Sequence, residues 1–156
     1  MQILKKTLNI IIDVLIIVML VFSAVVAGLA IASRSDGVPN LFGYAPLSVQ
    51  SDSMVPAFES GDLIITKVVS DGETFDVGDV ISFPATVDGV DVINTHRIVK
   101  VENLDNTVLY FTKGDNNAAD DEDPVLSTSV LAAYSGTCFK GLGTVYDFLT
   151  GQLGFF

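Results

Sequence analysis

A run of 19 residues without a charged side chain, at positions 14–32, constrains this chain more than any other feature. A helix rises about 1.5 Å per residue, so this run would extend roughly 28 Å. That length is close to the ~30 Å hydrocarbon core of a bilayer. Lys5 and Lys6 are the only basic residues before the run, and the positive-inside rule therefore places the N-terminus in the cytoplasm. We predict that residues 1–33 form a cytoplasmic stub and a retained transmembrane anchor.

A cleavable signal peptide is the alternative interpretation of the same segment. Ala30-Ile31-Ala32 has the small-x-small pattern of a cleavage site. The apolar part of a signal peptide is usually about 7 to 15 residues long, and because this run is longer, the sequence favours the anchor. Asp13 is tolerable near the cytoplasmic interface and would be costly at the bilayer centre. Whether the segment Ala30-Ile31-Ala32 is cleaved stays open.

The charge of the chain lies almost entirely beyond the anchor. After position 33 there are 18 acidic and 6 basic residues, and the net charge of the whole chain is -11. Proteins that bind nucleic acids present a basic face, so we predict no nucleic-acid partner and attribute the charge to solubility. A single cysteine, Cys138, and a single histidine, His96, cannot supply a disulfide framework or a structural zinc site. We predict no metal and no cofactor.

The remainder of the chain has room for one domain of ordinary size. Residues 34–46 combine Gly, Pro, Ser and Asn and are typical of a linker, here a juxtamembrane one. Residues 47–150 form the predicted extracytoplasmic domain. Residues 151–156 are apolar, and we interpret them either as an end that packs on the membrane surface or as the start of a second membrane segment.

Short segments rich in β-branched residues recur within this domain, with turn residues between them. This spacing predicts a mainly-β fold, an antiparallel barrel or sandwich. The predicted strands are 47–50, 62–69, 78–83, 92–101, 107–112, 130–134 and 137–140, the third of them ending at Pro84 and the fourth and fifth joined by a hairpin loop at 103–106. Outside the anchor no helical heptads and no internal repeats appear in the sequence.

The hexapeptide Ser51-Asp52-Ser53-Met54-Val55-Pro56 lies between the first two predicted strands. Ser53 is the candidate nucleophile. A serine hydroxyl requires a base within hydrogen-bond reach and donors placed where an oxyanion develops. A Ser/Pro string alone usually forms only a turn, so the interpretation depends on the segments that accompany it.

The alternation of side chains along a strand predicts which way the single histidine points. Period two places Asn94, His96 and Ile98 on one face of the fourth strand and Arg97 on the other. The acidic loop 113–121 follows the fifth strand and would hold a carboxylate against the imidazole Nδ1. The structural alternatives are a buried histidine without catalytic role and a solvated loop. The loop lacks the spacing of a calcium-binding EF-hand.

Taken together, these segments resemble one family. The motifs are Ser-Asp-Ser-Met-Val-Pro with Gly61-Asp62, then Thr95-His96-Arg97-Ile98-Val99, then Thr112-Lys113-Gly114-Asp115-Asn116-Asn117 with Asp120-Asp121. In this order behind an N-terminal anchor, they are similar to type I signal peptidases. The matching branch occurs in the endoplasmic reticulum, archaea and some Gram-positive bacteria, and it has histidine in place of a lysine base. The resemblance covers the anchor and roughly residues 47–145.

The resemblance implies a role for each matched residue. Ser53 would be the nucleophile, His96 the general base and Asp121 the carboxylate that orients the histidine. Asp115 matches a further acidic position that the family needs, and Asp115, Asp120 and Asp121 remain alternatives for the orienting acid.

Two residues of the hexapeptide leave alternatives open. Ser51 is either a donor to the oxyanion, beside the Ser53 backbone N–H, or a plain turn residue. Asp52 departs from the family pattern, which often has a small residue there, and its charge either lies near the nucleophile or points to solvent.

The function implied by the resemblance is that of a serine endopeptidase in the cell membrane. It would remove signal peptides from exported precursor proteins, after small residues, at the extracytoplasmic membrane face. Its partners would be those precursors and the lipid bilayer, and accessory subunits stay unassigned. An extended precursor segment would add to an exposed strand, for which Leu47, Val49 and Gln50 are the candidate binding residues.

Two other functions compete with this interpretation. The first is a membrane-anchored β-domain that acts as a non-catalytic binding or assembly module, or as an inactive homologue. The second is a self-cleaving repressor, which has the same fold but uses a lysine base and a cytosolic DNA-binding segment. The anchor and the absence of a lysine at the position of His96 argue against the repressor.

Overall fold

The computed structural model describes residues 2–32, 38–87, 89–105 and 107–150. The elements are helix α1 Gln2–Ala32, strands β1 Tyr44–Ser48, β2 Leu63–Val68, β3 Val80–Val87, β4 Val90–Leu104, β5 Thr107–Lys113 and β6 Val125–Leu126, the 3-10 turn Ser127–Ser129, strand β7 Ala132–Phe139 and helix α2 Leu142–Thr150. The strands form one seven-stranded antiparallel sheet in the order β1-β2-β7-β3-β4-β5-β6. The prediction of a mainly-β domain behind an apolar N-terminal helix is confirmed. The apolar end 151–156 and linker residues 34–37 lie outside the described residues.

Helix α1 is apolar on every side. Its segment Asn9–Gly28 has a mean hydropathy of 3.1, and none of that window is buried against the rest of the protein. Side chains such as Met19, Leu20 and Phe22 are more than half exposed. Because each Å² of apolar surface left in water costs about 25 cal/mol, the helix fits a membrane anchor.

Strand β3 continues beyond Pro84, where the sequence analysis wrongly ended it. Pro84 pairs with Ile93 of β4, while β7 pairs with β3 only at Ile81 and Ser82. Proline cannot donate a backbone hydrogen bond, so it is confined to strand positions that lack a partner on one side. Pro84 occupies such a position.

The two segments predicted at 130–134 and 137–140 are parts of one strand, β7. Its pairing with β2 shifts register, with Ile65 opposite Thr137 and Thr66 opposite Tyr134. Ser135 and Gly136 therefore form a bulge, in which Gly136 has φ +90°, a conformation that glycine adopts without steric cost. The bulge interrupts the alternation of hydrophobic and polar residues along β7, and for that reason the sequence of this one strand has the pattern of two shorter strands.

Strand β1 begins at Tyr44, within the segment predicted as linker, and lies at one end of the strand order. Pro46, opposite Ile65 of β2, made this segment look irregular. Along β1 the backbone groups of odd-numbered residues face β2, as the Val68 N–H bond to the Gly43 carbonyl and the Val49 N–H bond to the Asp62 carbonyl indicate. The backbone nitrogen of Pro46, which has no hydrogen to donate, therefore faces the free edge of β1, where a proline is tolerated.

Helix α2 was not predicted from the sequence, and neither were the short strand β6 and the 3-10 turn that follows it. Helix α2 begins after Gly141, whose φ is +70°, and packs on the segment that follows the serine hexapeptide. The Gly143 N–H donates to the Gly61 carbonyl at 2.8 Å. A Cβ on Gly143 would collide with the Asp62 carbonyl and with Ser48 Oγ, so only glycine permits this close approach.

The Asp62 side chain links the residues that follow the serine hexapeptide to the residues just before helix α2. Its Oδ2 accepts from Lys140 Nζ at 2.8 Å and from the Glu59 N–H at 3.0 Å, and its Oδ1 accepts from the Gly141 N–H at 3.0 Å. The side chain is only 4% exposed. Burial alone would raise the pKa of Asp62, but the bonds from Lys140, Glu59 and Gly141 outweigh it and lower the pKa to about 2.

Asp62→Asn is expected to lower the melting temperature in a pH-dependent way. Because the pKa of Asp62 is lower in the folded than in the unfolded protein, its contribution is complete above about pH 4 and is lost as the pH falls toward about 2. A lost charged hydrogen bond of about 1.5–3 kcal/mol corresponds to a difference of roughly 3–10 °C at pH 7. Thermal melts of both proteins between pH 7 and pH 2 measure this difference.

The control is Asp71→Asn, since Asp71 is exposed in the turn after β2. We expect no comparable difference for it at any pH. A difference between wild type and Asp62→Asn that stays constant from pH 7 to pH 2 would contradict the role of the ionised carboxylate.

Candidate active site

Residues 49–62 form a closed turn that carries Ser53, and we call it the serine turn. Its ends meet where the Val49 N–H donates to the Asp62 carbonyl at 2.8 Å. Met54 and Phe58, each 2% exposed, pack with Ile64 and Val80 in a core cluster beneath the turn. Burying such side chains stabilises by about 1.5–3 kcal/mol each, so the turn has a fixed position on the sheet.

The side chains of Ser53, His96 and Asp121 are in contact, and the ring of His96 lies between the other two. His96 Nε2 is 3.2 Å from Ser53 Oγ. On the other side of the ring, Nδ1 lies 2.7 Å and 2.9 Å from the two carboxylate oxygens of Asp121. These are the separations of a nucleophile, a base and an orienting acid.

The contacts of His96 determine how its ring can be protonated. The imidazole is 5% exposed. A carboxylate accepts but cannot donate, so the Asp121 contact requires a proton on Nδ1 and leaves the lone pair of Nε2 toward the serine hydroxyl. Asn94 also lies beside the ring, with Nδ2 3.1 Å from Nδ1, but both nitrogens then carry protons, so this contact is not a hydrogen bond. The Asn94 Oδ1 accepts from the Thr95 N–H.

Asp121 is held in place by the end of strand β5. Thr112 Oγ1 donates to Asp121 Oδ2 at 2.6 Å, and the Asp121 N–H donates to the Thr112 carbonyl at 2.8 Å. Of the three acids that the sequence left open, Asp121 is the one for which the structure records a contact with His96. Asp120 is exposed.

Asp115 forms an ion pair with Arg97 instead. Its two oxygens accept from Arg97 Nε at 2.8 Å and from Arg97 Nη2 at 2.6 Å, and Arg97 also donates to the Gly78 carbonyl. The hydrogen bond from Arg97 to Asp115 raises the pKa of the guanidinium above its ordinary value. Arg97 is therefore always a cation here, and it fixes the start of the acidic loop to strand β4.

The acidic loop also contacts the serine turn directly. The Asn116 N–H donates to the Ser53 carbonyl at 2.8 Å, and Asn116 Nδ2 donates to the Asp52 carbonyl at 3.1 Å. A Cβ on Gly114 would lie 2.7 Å from the Ser53 carbonyl oxygen, so only glycine allows the loop to approach this closely. The turn and the loop thus hold one another in register.

Ser51 and Asp52, the two residues before Ser53, make different contacts. Ser51 Oγ lies 3.1 Å from Ser53 Oγ. Asp52 Oδ1 accepts from the Ser60 N–H at 2.9 Å, so its carboxylate closes the serine turn on itself. This contact supplies the reason for an acid at a position where a small residue was expected.

A groove of about 560 Å³ runs beside Ser53. Its walls come from the end of β1 and from the β3–β4 hairpin, and the predicted binding residues Leu47, Val49 and Gln50 all line it. Leu47 and Val49 also pack against the core cluster beneath the serine turn. The role of these three residues in binding stays a prediction.

Comparisons with known proteins identify the family. No protein-family model matches the chain. Signal peptidase I W of Bacillus subtilis (strain 168) is 39% identical over 137 residues, which cover 87% of this chain and 67% of that protein. The catalytic subunit SEC11 of the signal peptidase complex of Pyricularia oryzae is 40% identical over 75 residues, 48% of this chain and 42% of the relative. The human subunit SEC11C is 39% identical over 74 residues, 47% and 37% respectively.

The chain thus spans about two thirds of the bacterial relative and less than half of the fungal and human ones. Because the bacterial match covers 87% of the chain, it includes most of the β-domain. The geometry around Ser53 and these similarities agree, and the chain belongs to the type I signal peptidase family.

Proposed function

We propose that this protein removes signal peptides from exported precursors, with Ser53 as nucleophile, His96 as general base and Asp121 as orienting acid. The observation that carries the proposal is the pair of contacts made by one imidazole, 3.2 Å to Ser53 Oγ and 2.7 Å to Asp121. Membership of the family implies signal peptide removal. The assignment of each residue rests on this geometry and on the motifs that contain the three residues.

The proposed reaction begins with a proton transfer. His96 Nε2 takes the hydroxyl proton of Ser53 as Oγ attacks the carbonyl carbon of the precursor, and Asp121 stabilises the imidazolium that forms. The same proton then passes to the leaving amine, so the new N-terminus of the exported protein departs and the signal peptide remains as an ester on Ser53. Water, activated by His96, hydrolyses this ester and regenerates the serine.

Donors near Ser53 would stabilise the tetrahedral intermediate. Ser51 Oγ, 3.1 Å from Ser53 Oγ, and the Ser53 backbone N–H are the proposed pair. Because an oxyanion takes up charge that the ground-state carbonyl lacks, such donors stabilise the transition state more than the substrate.

We further propose that the precursor binds in extended form in the groove beside β1. The strand is at the end of the sheet, and an extended segment would add to it through backbone hydrogen bonds. Helix α1 would anchor the domain at the extracytoplasmic face, where precursors still have their own apolar segment in the bilayer. Such tethering raises the effective concentration of enzyme and substrate toward one another.

The test uses the full chain in phosphatidylcholine vesicles and a precursor with an alanine before the predicted cleavage site. The expected result is a single cut after that alanine, identified by mass spectrometry of both products. A precursor with phenylalanine at the same position is the control and is expected to stay intact. No cut in the alanine precursor would contradict the proposal and favour a non-catalytic module.

A further inference from the structure

Helix α2 carries a buried carboxylate that contacts two residues of the groove lining, Ser48 and Gln50. Asp147 is 8% exposed. Its Oδ2 accepts from Ser48 Oγ at 2.8 Å and from Gln50 Nε2 at 3.0 Å. Its Oδ1 is buried without a hydrogen-bond partner among the residues that the structure describes. An acid that is buried and only half satisfied destabilises a fold by about 1–3 kcal/mol per unpaired group, so its presence here calls for another explanation.

The two residues that Asp147 holds have even numbers, and along β1 the backbone of even-numbered residues faces the free edge. Val49 donates to the Asp62 carbonyl and accepts from the Gly61 N–H, so its backbone is directed toward the β2 side. Because hydrogen-bonding directions alternate along an antiparallel strand, the backbone N–H of Ser48 points the other way. The same alternation, continued past the end of β1, directs the Gln50 N–H with it, while the Gln50 carbonyl accepts from Ser60 Oγ at 3.4 Å. The two N–H groups are the ones that an added strand would meet.

We propose that Asp147 is a positioning residue for precursor binding, which fixes Ser48 and Gln50 so that their outward N–H groups pair with the extended precursor segment. This inference rests on the proposed function. Ser48, at the end of β1, and Gln50, nearer the serine, line the same groove as Ser53, so the paired part of the precursor lies along the edge beside the cleaved bond. Asp147 therefore acts on substrate binding along the edge and leaves the chemistry at Ser53 to other groups.

The physical basis is preorganisation. Ser48 Oγ and Gln50 Nε2 would otherwise be free to take other rotamers, and these two side chains would be ordered only when the precursor binds. Ordering a side chain at an interface costs about 0.5–1.5 kcal/mol. A shared acceptor on the rigid helix α2, which Gly143 holds against the serine turn, removes this cost before the substrate arrives.

The experiment compares Asp147→Ala and Asp147→Asn with the wild type on two peptides. A long peptide extends along β1 past Ser48, and a short one ends before it would reach that residue. For Asp147→Ala we expect KM for the long peptide to rise about 5- to 30-fold, with a smaller change in kcat and a smaller change in KM for the short peptide. Asp147→Asn keeps an oxygen that can accept both bonds and is expected to restore most of the affinity. Asp71→Ala, an exposed acid of equal charge, is the matched control.

Three results would overturn the inference. They are an equal penalty on both peptides, an effect confined to kcat, and an Asp147→Asn variant as impaired as Asp147→Ala. If Asp147→Ala does not fold, the exposed Gln50 provides the test, because Gln50→Ala removes one of the two donors and should give a smaller rise that depends on peptide length in the same way. A wild type that cleaves neither peptide, or a Ser53→Ala variant equal to the wild type, would contradict the proposed function instead.

Discussion

Ser53→Ala is expected to reduce kcat for precursor cleavage by about 10⁴- to 10⁶-fold, the range seen when the nucleophile of a serine protease is removed. The alanine side chain has no oxygen to attack the carbonyl, and His96 Nε2 then has no proton to accept at 3.2 Å. We expect KM to change little, because the groove and the free edge of β1 do not depend on the hydroxyl. Initial rates in lipid vesicles, followed by mass spectrometry, measure the loss.

Ser70→Ala is the matched control, since Ser70 is exposed in the turn after β2 and away from the groove lining. Its rate is expected to stay within about twofold of the wild type. Both variants should melt at the wild-type temperature, which separates loss of chemistry from loss of fold. A Ser53→Ala protein that keeps a tenth of the wild-type kcat would exclude Ser53 as the nucleophile.

Asp121→Asn is expected to lower kcat by about 10⁴-fold, as removal of the orienting carboxylate does in a serine protease triad. The introduced asparagine would have the same shape as the aspartate, but one of its two oxygens would be replaced by an amide nitrogen that donates. In the native protein Thr112 Oγ1 donates to Asp121 Oδ2, so the asparagine is expected to place its remaining oxygen there. With its oxygen toward Thr112, the amide would direct an N–H at Nδ1 of His96. The ring would then carry its proton on Nε2, where it can no longer accept one from Ser53. Initial rates of precursor cleavage measure the loss.

Asp120→Asn distinguishes this effect from a general loss of charge in the acidic loop. Asp120 is the exposed neighbour of Asp121, and we expect its variant to stay within about twofold of the wild type. The two rates are compared at the same pH and in the same vesicles. If Asp120→Asn lost activity while Asp121→Asn kept it, the assignment of the orienting acid would be wrong.

Most strands could be predicted because their signals are local. The segment 62–69 differs from β2 Leu63–Val68 by one residue at each end, since glycine and a turn bound a β-branched run. The exceptions depend on neighbours that a local pattern does not contain. Pro84 is compatible with β3 only because β7 pairs no further than Ser82, and Ser135 and Gly136 belong to one strand only because β2 shifts register beside them.

The strand that carries His96 has a periodic pattern that predicts the direction of its side chains, whereas the acidic loop has none. Strand alternation directs His96 and Ile98 inward, and they are 5% and 1% exposed. The acidic loop has no period, so the sequence could not rank Asp115, Asp120 and Asp121. In the folded protein Asp115 pairs with Arg97, and Asp121 lies against the ring of His96, two contacts that no local pattern predicts. The catalytic roles of these residues stay predictions until the variants are measured.

Helix α2 and Asp147 were missed for a related reason. The segment that starts Gly141-Leu142-Gly143-Thr144-Val145 is rich in residues with low helix propensity, two glycines and two β-branched residues. Tertiary packing overrides that preference, since Gly143 permits contact with the serine turn. A carboxylate on a helix that was not predicted could not be assigned from the sequence. Its two partners, Ser48 at the end of β1 and Gln50 two residues later, are polar residues without a distinctive pattern.

The bond from the Asn116 N–H to the Ser53 carbonyl has a consequence for biosynthesis. Ser53 and Asn116 are 63 positions apart in the chain, so a nascent protein lacks this support for the serine turn until most of the domain has emerged. The proposed hydrolytic activity can therefore appear only after most of the domain has been synthesised. We expect a half-made chain to have no hydrolytic activity, because Ser53 then lacks the contacts with His96 and the acidic loop that form later.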